Sequence, residues 1–176
     1  MTEPGRPAPI QLARWTVTSG SNVNSRAAVV LHAGSHDWHA SAEASGAVEA
    51  LLKAVDEALR DVLGGQPRLV AYDVHALAEG PDAEGRVTVQ IAPPAVAAGS
   101  RADGRFTGEV ASTNIVAASV EAYVLALNAM LGVASWAGAA AEASARRGGL
   151  AAADEGAVGA ELDDEPTIDT TAWFNR

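Results

Sequence analysis

The sequence predicts an α+β fold made of two β-β-β-α units related by pseudo-twofold symmetry and followed by a disordered acidic tail. Three observations predict it. Apolar residues alternate with period two through three short segments and then switch to helical spacing from Val48. The same order begins again at Arg68. Nearly half of the 176 residues are apolar (48%) while aromatics make up only 5%, so the core is one of small side chains, mostly alanine. A chain of this length is expected to form one domain.

The elements follow in order. Residues 1–9 hold three prolines and a glycine and read as a flexible lead-in. Residues 11–18 (QLARWTVT) alternate Leu12, Arg14 and Thr16 against Ala13, Trp15 and Val17, a half-buried strand. Ser19-Gly20-Ser21-Asn22 makes a turn. Residues 26–33 and 38–44 are two strands, with Gly34-Ser35-His36-Asp37 as the hairpin between them. Pairing Ala33 with Trp38 sets Leu31 against Ala40 and Val29 against Ala42 on an apolar face. Val48, Leu51, Leu52, Val55, Leu59, Val62 and Leu63 then mark the buried side of a helix, with Glu49, Lys53, Asp56, Glu57 and Arg60 facing away. Gly64-Gly65 ends it and Pro67 prevents its continuation. In the second unit, residues 68–78, 86–92 and 105–111 are strands, and a helix runs from about 114 to 134. That helix is mostly apolar, but Glu121, Asn128 and Gly132 make it a helix buried on a sheet and not a membrane span.

Shifting the chain by 68 residues lays 40–59 on 108–127, and Val48, Ala50, Ala54, Ala58 and Leu59 fall on Val116, Ala118, Ala122, Ala126 and Leu127. The strand-to-helix junctions match too, Ser45-Gly46 against Thr113-Asn114. Internal duplication accounts for both, with units at about 10–65 and 66–136. Residues 137–176 carry eight acids against three arginines, half of the net charge of −10, with few large apolar groups. Such a segment cannot offset its ordering entropy. Truncation after Trp136 is therefore expected to leave the melting temperature within a few degrees; a large drop would mean that Trp173 or Phe174 docks on the body.

Charge and composition exclude several classes of function. Twelve basic residues against twenty-two acids disfavour nucleic acid and anionic membrane as partners. The absence of cysteine removes thiol catalysis and cysteine-ligated metals. The N-terminal stretch has no apolar run of the secretory kind, so a cytoplasmic protein is expected. No phosphate-binding, dinucleotide, zinc-protease or nucleophile-elbow motif is present. No cofactor or bound metal is expected.

Two constellations remain. In the register above His32 stands opposite His39, with His36 in the turn, while Asp73 and His75 share one face of their strand. Imidazoles so placed suit binding of a transition metal or proton transfer near neutral pH, or they are the polar face of a sheet with no task. The junctions Ser45-Gly46-Ala47-Val48 and Ser112-Thr113-Asn114-Ile115 place small hydrogen-bonding residues at helix N-termini, where unpaired amides favour a carboxylate. Plain N-capping is the alternative.

The segment from Leu69 to Leu131, with YDVHALAEGPDAEGRVTVQI followed by DGRFTGEVASTNIVAASVEAYVLALNAML, resembles the C-terminal regulatory (dimerisation) domain of α-isopropylmalate synthase and citramalate synthase. LARWTVTSGSN and GAVEALLKAV are similar to that domain's opening strand and first helix. The resemblance implies a duplicated β-β-β-α fold that dimerises and binds leucine or isoleucine at the strand-to-helix junctions. In the family's G-x-G-P-[VI]-D-A motif, Gly46, Val48 and Ala50 match fully, and Glu49 stands where the family has Asp. In its S-T-D-I motif, Asn114 replaces the acid between Thr113 and Ile115, and Ala117 replaces the Glu that follows. The synthase's catalytic barrel needs about 250 residues, which this chain does not hold.

Two functions are carried forward. One is a regulatory domain that binds a small amino acid or related carboxylate and acts as a homodimer or in trans on a synthase-like partner. The other is an enzyme recruited to a small metabolite, with His32, His39, Asp73 and His75 as its catalytic candidates. A dimeric scaffold without ligand is the third possibility. For the dimer contact the sequence points to Ala28 and Val30, on the outer side of the first sheet.

Overall fold

The computed structural model describes residues 8–80, 82–94 and 104–132; the expected lead-in and acidic tail lie almost wholly outside them. Strands β1 (Gln11–Thr18), β2 (Ser25–Ala33) and β3 (His36–Ala44) form one antiparallel sheet in the order β1-β2-β3. Helices α1 (Ala47–Ala58) and α2 (Arg60–Leu63) follow. Strands β4 (Arg68–Ala76), β5 (Gly85–Ala92) and β6 (Phe106–Ser112) form the second sheet in the order β4-β5-β6, and α3 (Ile115–Leu131) closes the unit. Each sheet has its middle strand in the centre and its helix laid across the last two strands. Among the described residues no helix is long and apolar enough to cross a membrane.

The inner face of the first sheet, Ala27, Val29 and Leu31, matches that of the second, Val87, Val89 and Ile91, and all six are buried. Against them lie Ala50, Ala54 and Ala58 of α1 and Ala118, Ala122 and Ala126 of α3, again all buried. Alanine at every fourth position puts a flat strip along each helix, so helix and sheet approach closely. The approach is tightest at Gly108, where a Cβ would overlap the Ala122 carbonyl. The small-residue composition is thus the means by which each helix seats on its sheet.

The structure corrects the hairpin register. β2 and β3 are joined by Gly34-Ser35 alone, with Gly34 at φ 63, so Ala33 pairs with His36 and His32 with Asp37. Glycine takes that left-handed conformation without cost, and two-residue turns of this hand match the strand twist. A shift of two residues keeps every side chain on its predicted face, so Val29 and Leu31 stay inside. It does separate His32 from His39, which pairs with Val30.

A second correction concerns β1. The register slips between Leu12 and Arg14, leaving Ala13 as an extra residue. The bulge moves Leu12 to the inner face beside Trp15 and Val17, where simple alternation had set it with Arg14. β4 repeats the feature, with a slip between Leu69 and Ala71 around Val70. Both bulges fall on the third residue of the strand that opens a unit, which independently supports the duplication.

The halves differ in how that opening strand is covered. Leu12, Trp15 and Val17 of β1 are packed on the core. Their counterparts on β4 are not: Leu69 is 51%, Tyr72 38% and Val74 44% exposed. The α3 backbone comes close to β1, whereas β4 has only β5 as a backbone neighbour and meets α3 through the Tyr72–Ser119 hydrogen bond. The end of α3 also holds the chain ahead of β1, since Asn128 accepts from the Ile10 amide at 2.8 Å and donates to its carbonyl at 2.7 Å. Burying these two backbone groups against one side-chain amide leaves neither unpaired.

Candidate functional site

The first junction ends β3 and starts α1. Gly46 is the N-cap in extended conformation, and no side chain caps the helix. The Ser45 hydroxyl instead donates to Glu49 at 2.8 Å, and Lys53 pairs with the same carboxylate at 2.9 Å. Those bonds to Lys53 and Ser45 hold the Glu49 carboxyl below its ordinary range. The first-turn amides of α1 therefore keep no side-chain partner. At the second junction the cap is occupied: Asn114 accepts from the Ala117 amide at 3.1 Å, and Ser112 accepts from the Asn114 amide at 3.1 Å. The N-capping expected of Asn114 is what its side chain does.

The two junctions do not meet through the elements that carry them. β3 touches neither β6 nor α3, and α1 does not touch β6. The units join instead where α1 crosses α3, at Tyr123, whose hydroxyl donates to Asp56 at 2.5 Å. Ala47 stands about 14 Å and Ile115 about 12 Å from that crossing, measured by helical rise.

Beside the crossing lies an apolar groove of about 420 Å³ between α1 and the start of β4. Val48, Leu52, Pro67, Leu69 and Tyr72 form its walls, with Glu49, Lys53, Asp56, Gln66 and Tyr123 as the polar groups. Val48 is the one junction residue that lines it. Tyr72 is fixed by a 2.7 Å bond to Ser119, which in turn donates to the Ile115 carbonyl at 2.6 Å. Asp56 accepts a second bond from Gln66 at 3.3 Å. Burial pushes the Asp56 carboxyl up to about 6, and burial beside Asp56 pushes the Tyr123 hydroxyl upward as well.

Sequence reasoning had Asp56 facing solvent. Tyr123 lies 67 residues away, a separation that no local spacing reveals. A signal was present: Val48, Leu52 and Asp56 recur every fourth residue, so the acid extends an apolar stripe.

The histidines are dispersed. His32 bonds Asp37 at 2.6 Å, and His36 meets Trp38 edge-on with ring centroids 4.6 Å apart. His75 pairs with Arg86 and Asp73 with Thr88 across the outer face of the second sheet. Among the described residues no three of His, Asp or Glu are grouped as metal ligands.

Comparison with known proteins adds to this geometry. The chain is 37% identical over 121 residues to a 2-isopropylmalate synthase of Nitrosococcus oceani, covering 69% of this chain and 21% of that protein. It is 36% identical over 103 residues to the 2-isopropylmalate synthase of Aromatoleum aromaticum, covering 58% of this chain and 18% of the other. A provisional (R)-citramalate synthase of Methanoculleus marisnigri matches at 32% over 122 residues, 69% of this chain and 22% of that protein. The chain thus spans about a fifth of the length of these relatives. The family model described as the LeuA allosteric (dimerisation) domain matches residues 2–131, which include both sheets and all three helices. With its duplicated β-β-β-α units and repeated bulge, the chain belongs to the LeuA allosteric (dimerisation) domain family.

Proposed function

We propose that this protein is a regulatory module that binds a small, leucine-like amino acid or related carboxylate and acts as a homodimer or in trans on a synthase. The groove between α1 and β4 carries this reading. It offers an apolar wall sized for a branched side chain, and Val48 connects it to the uncapped first turn of α1. We place its mouth at Ser45, Gly46 and Ala47, which run directly into Val48. A site that also uses Ser112, Thr113, Asn114 and Ile115 takes them from a second copy, because the junctions are apart within one chain. The histidines give the enzyme reading no matching support.

The dimer contact is assigned to β4, not to Ala28 and Val30. Leu69, Val70, Tyr72 and Val74 on β4 and Leu77 just after it are all exposed, a larger apolar surface than the outer face of the first sheet offers. Light scattering is expected to read a dimer at micromolar concentration, and Val74→Glu to read a monomer. A wild-type monomer would count decisively against the assignment.

The effector reading is tested by melting the protein with leucine, isoleucine, valine and their 2-oxo acids. A ligand at 100 times its Kd stabilises the fold by roughly 2.7 kcal/mol. Its action would be a shift in the population of one dimer arrangement, set by its differential affinity. Gly46→Asp should abolish the shift by placing a carboxylate at the mouth, whereas replacing His32 and His39 with alanine should leave it intact. If no member of the panel shifts the wild type, the effector reading fails.

A further inference from the structure

The two halves differ at one equivalent contact. The 68-residue shift that relates the helices lays Leu52 and Asp56 of α1 on Val120 and Val124 of α3. In each helix this pair stands opposite the alanine strip, and so away from the helix's own sheet. The bulges align the opening strands in the same way, setting Leu69, Tyr72 and Val74 of β4 on Leu12, Trp15 and Val17 of β1. In one half the contact is shut. There α3 comes close to β1, Val120 and Val124 are buried, and Leu12, Trp15 and Val17 pack on the core. In the other half it stands open: no Cα of α1 lies within 8 Å of one of β4, and the groove of about 420 Å³ separates them.

One residue of these four helix positions is not apolar. Where α3 has Val124, α1 has Asp56, a half-buried carboxyl whose partners, the Tyr123 hydroxyl and the Gln66 amide, are neutral. Lys53, the cation among the residues that line the groove, is paired with Glu49. Shutting the groove would strip water from an ionised Asp56 and set it against Leu69 and Tyr72 with no cation to compensate it. The same motion would bury apolar area of Leu52 and Leu69, which favours closure once the charge is gone. β4 is the part able to move, since β5 is its backbone neighbour and the Tyr72–Ser119 bond its hold on α3.

We propose that the groove is the open position of a proton-operated joint: the ionised Asp56 carboxylate holds β4 away from α1, and neutralising it lets the strand close on Leu52 as β1 is closed on α3. The joint does not depend on what the groove binds. The charged and titratable groups facing Asp56 are Glu49 and Lys53 from α1, Tyr72 from β4 and Tyr123 from α3. Lys53 and Ser45 hold Glu49 below the usual carboxylate range, and burial raises Tyr123, so neither changes charge in the mildly acidic range. Asp56, pushed up to about 6, does. The open form is almost fully ionised near pH 7.5 and roughly one-tenth ionised near pH 5. Closure selects the neutral form, so it takes up a proton and is promoted as pH falls through about 6.

The chain has no cysteine, so two introduced ones take all of a thiol label. Glu57→Cys on α1 and Asp73→Cys on β4, both at exposed positions, carry spin labels on the full chain, diluted in unlabelled protein so that only distances within one chain are read. The distance is expected to shorten by about 2 Å or more between pH 7.5 and pH 5, and Asp56→Asn to hold the short distance at both. A second readout needs no label. Leu52→Cys with Leu69→Cys cannot form a disulfide across the open groove, because that requires Cα atoms closer than about 7 Å. At pH 7.5 this pair is expected to oxidise when Asp56→Asn is also present and to stay reduced when Asp56 is intact. A distance that does not change with pH, or an Asp56→Asn protein that follows pH as the wild type does, would overturn the joint. So would a disulfide that forms equally with and without Asp56.

Discussion

Gly108→Ala is expected to destabilise the fold by about 3 kcal/mol and to lower Tm by roughly 10 °C. The glycine sits on β6 under α3. An added Cβ would overlap the Ala122 carbonyl oxygen and come within 2.8 Å of the Ala126 nitrogen. Both are backbone atoms of a helix turn, so no side-chain rotation relieves the clash and the whole helix must lift. Lifting it breaks the contact of Ala118, Ala122 and Ala126 with the inner face of the sheet. Gly46→Ala is the control. Nothing lies within 4 Å of its added Cβ, and its φ of −124 suits any residue, so the change should cost less than about 1 kcal/mol. Thermal melts of the two variants side by side decide the matter, and equal Tm values would mean that α3 does not seat on β6 in this way.

Asp56→Asn is expected to stabilise the unliganded protein near neutral pH by about 1–2 kcal/mol. The folded-state carboxyl lies at about 6, raised from 3.8 by burial, while the Tyr123 and Gln66 bonds oppose the rise. A carboxyl raised in the folded state binds more protons folded than unfolded, so stability falls as pH rises from about 4 to 6 and stays reduced above that window. The full shift corresponds to roughly 3 kcal/mol. Asparagine keeps an acceptor for the Tyr123 hydroxyl and removes the charge, which recovers part of it. Denaturant unfolding of both proteins across that pH range should show convergence in acid and a gap at neutrality. A variant less stable than the wild type at neutral pH would mean that the ionised carboxylate is better compensated than its burial implies.

These two residues also mark the limit of what the sequence discloses. The faces of β2 and, Asp56 apart, of α1 follow from periodicity, since burying apolar area is enough to choose them. Parity protected the first hairpin: a turn shorter by two residues leaves each side chain on its own face. Parity could not protect β1, because a bulge changes the count by one and Leu12 crosses to the other side. For the site, the junctions at Gly46 and Asn114 were legible as helix starts, since capping is local chemistry. The groove was not. It is made by residues from α1, β4 and α3 that only the packing of one unit on the other brings together. Asp56 read as a surface acid because its exposure depends on a tyrosine in the opposite half.

The pair of bonds from Asn128 to Ile10 bears on how the fold is connected. The chain enters its first strand beside the point where its last helix finishes, Gly132 being only four residues beyond Asn128. The other passage between units, from α2 into β4, runs through Gly64 and Gly65 and is held by Asp56 through Gln66. Each helix end thus grips the entry of the other unit, and the molecule is in effect a two-membered ring cut at one of two related places. Joining Gly132 to Ala8 by a short bridge and opening the chain at Gly64 would exchange the order of the halves without moving either. Which half comes first is then a matter of descent, not of mechanics.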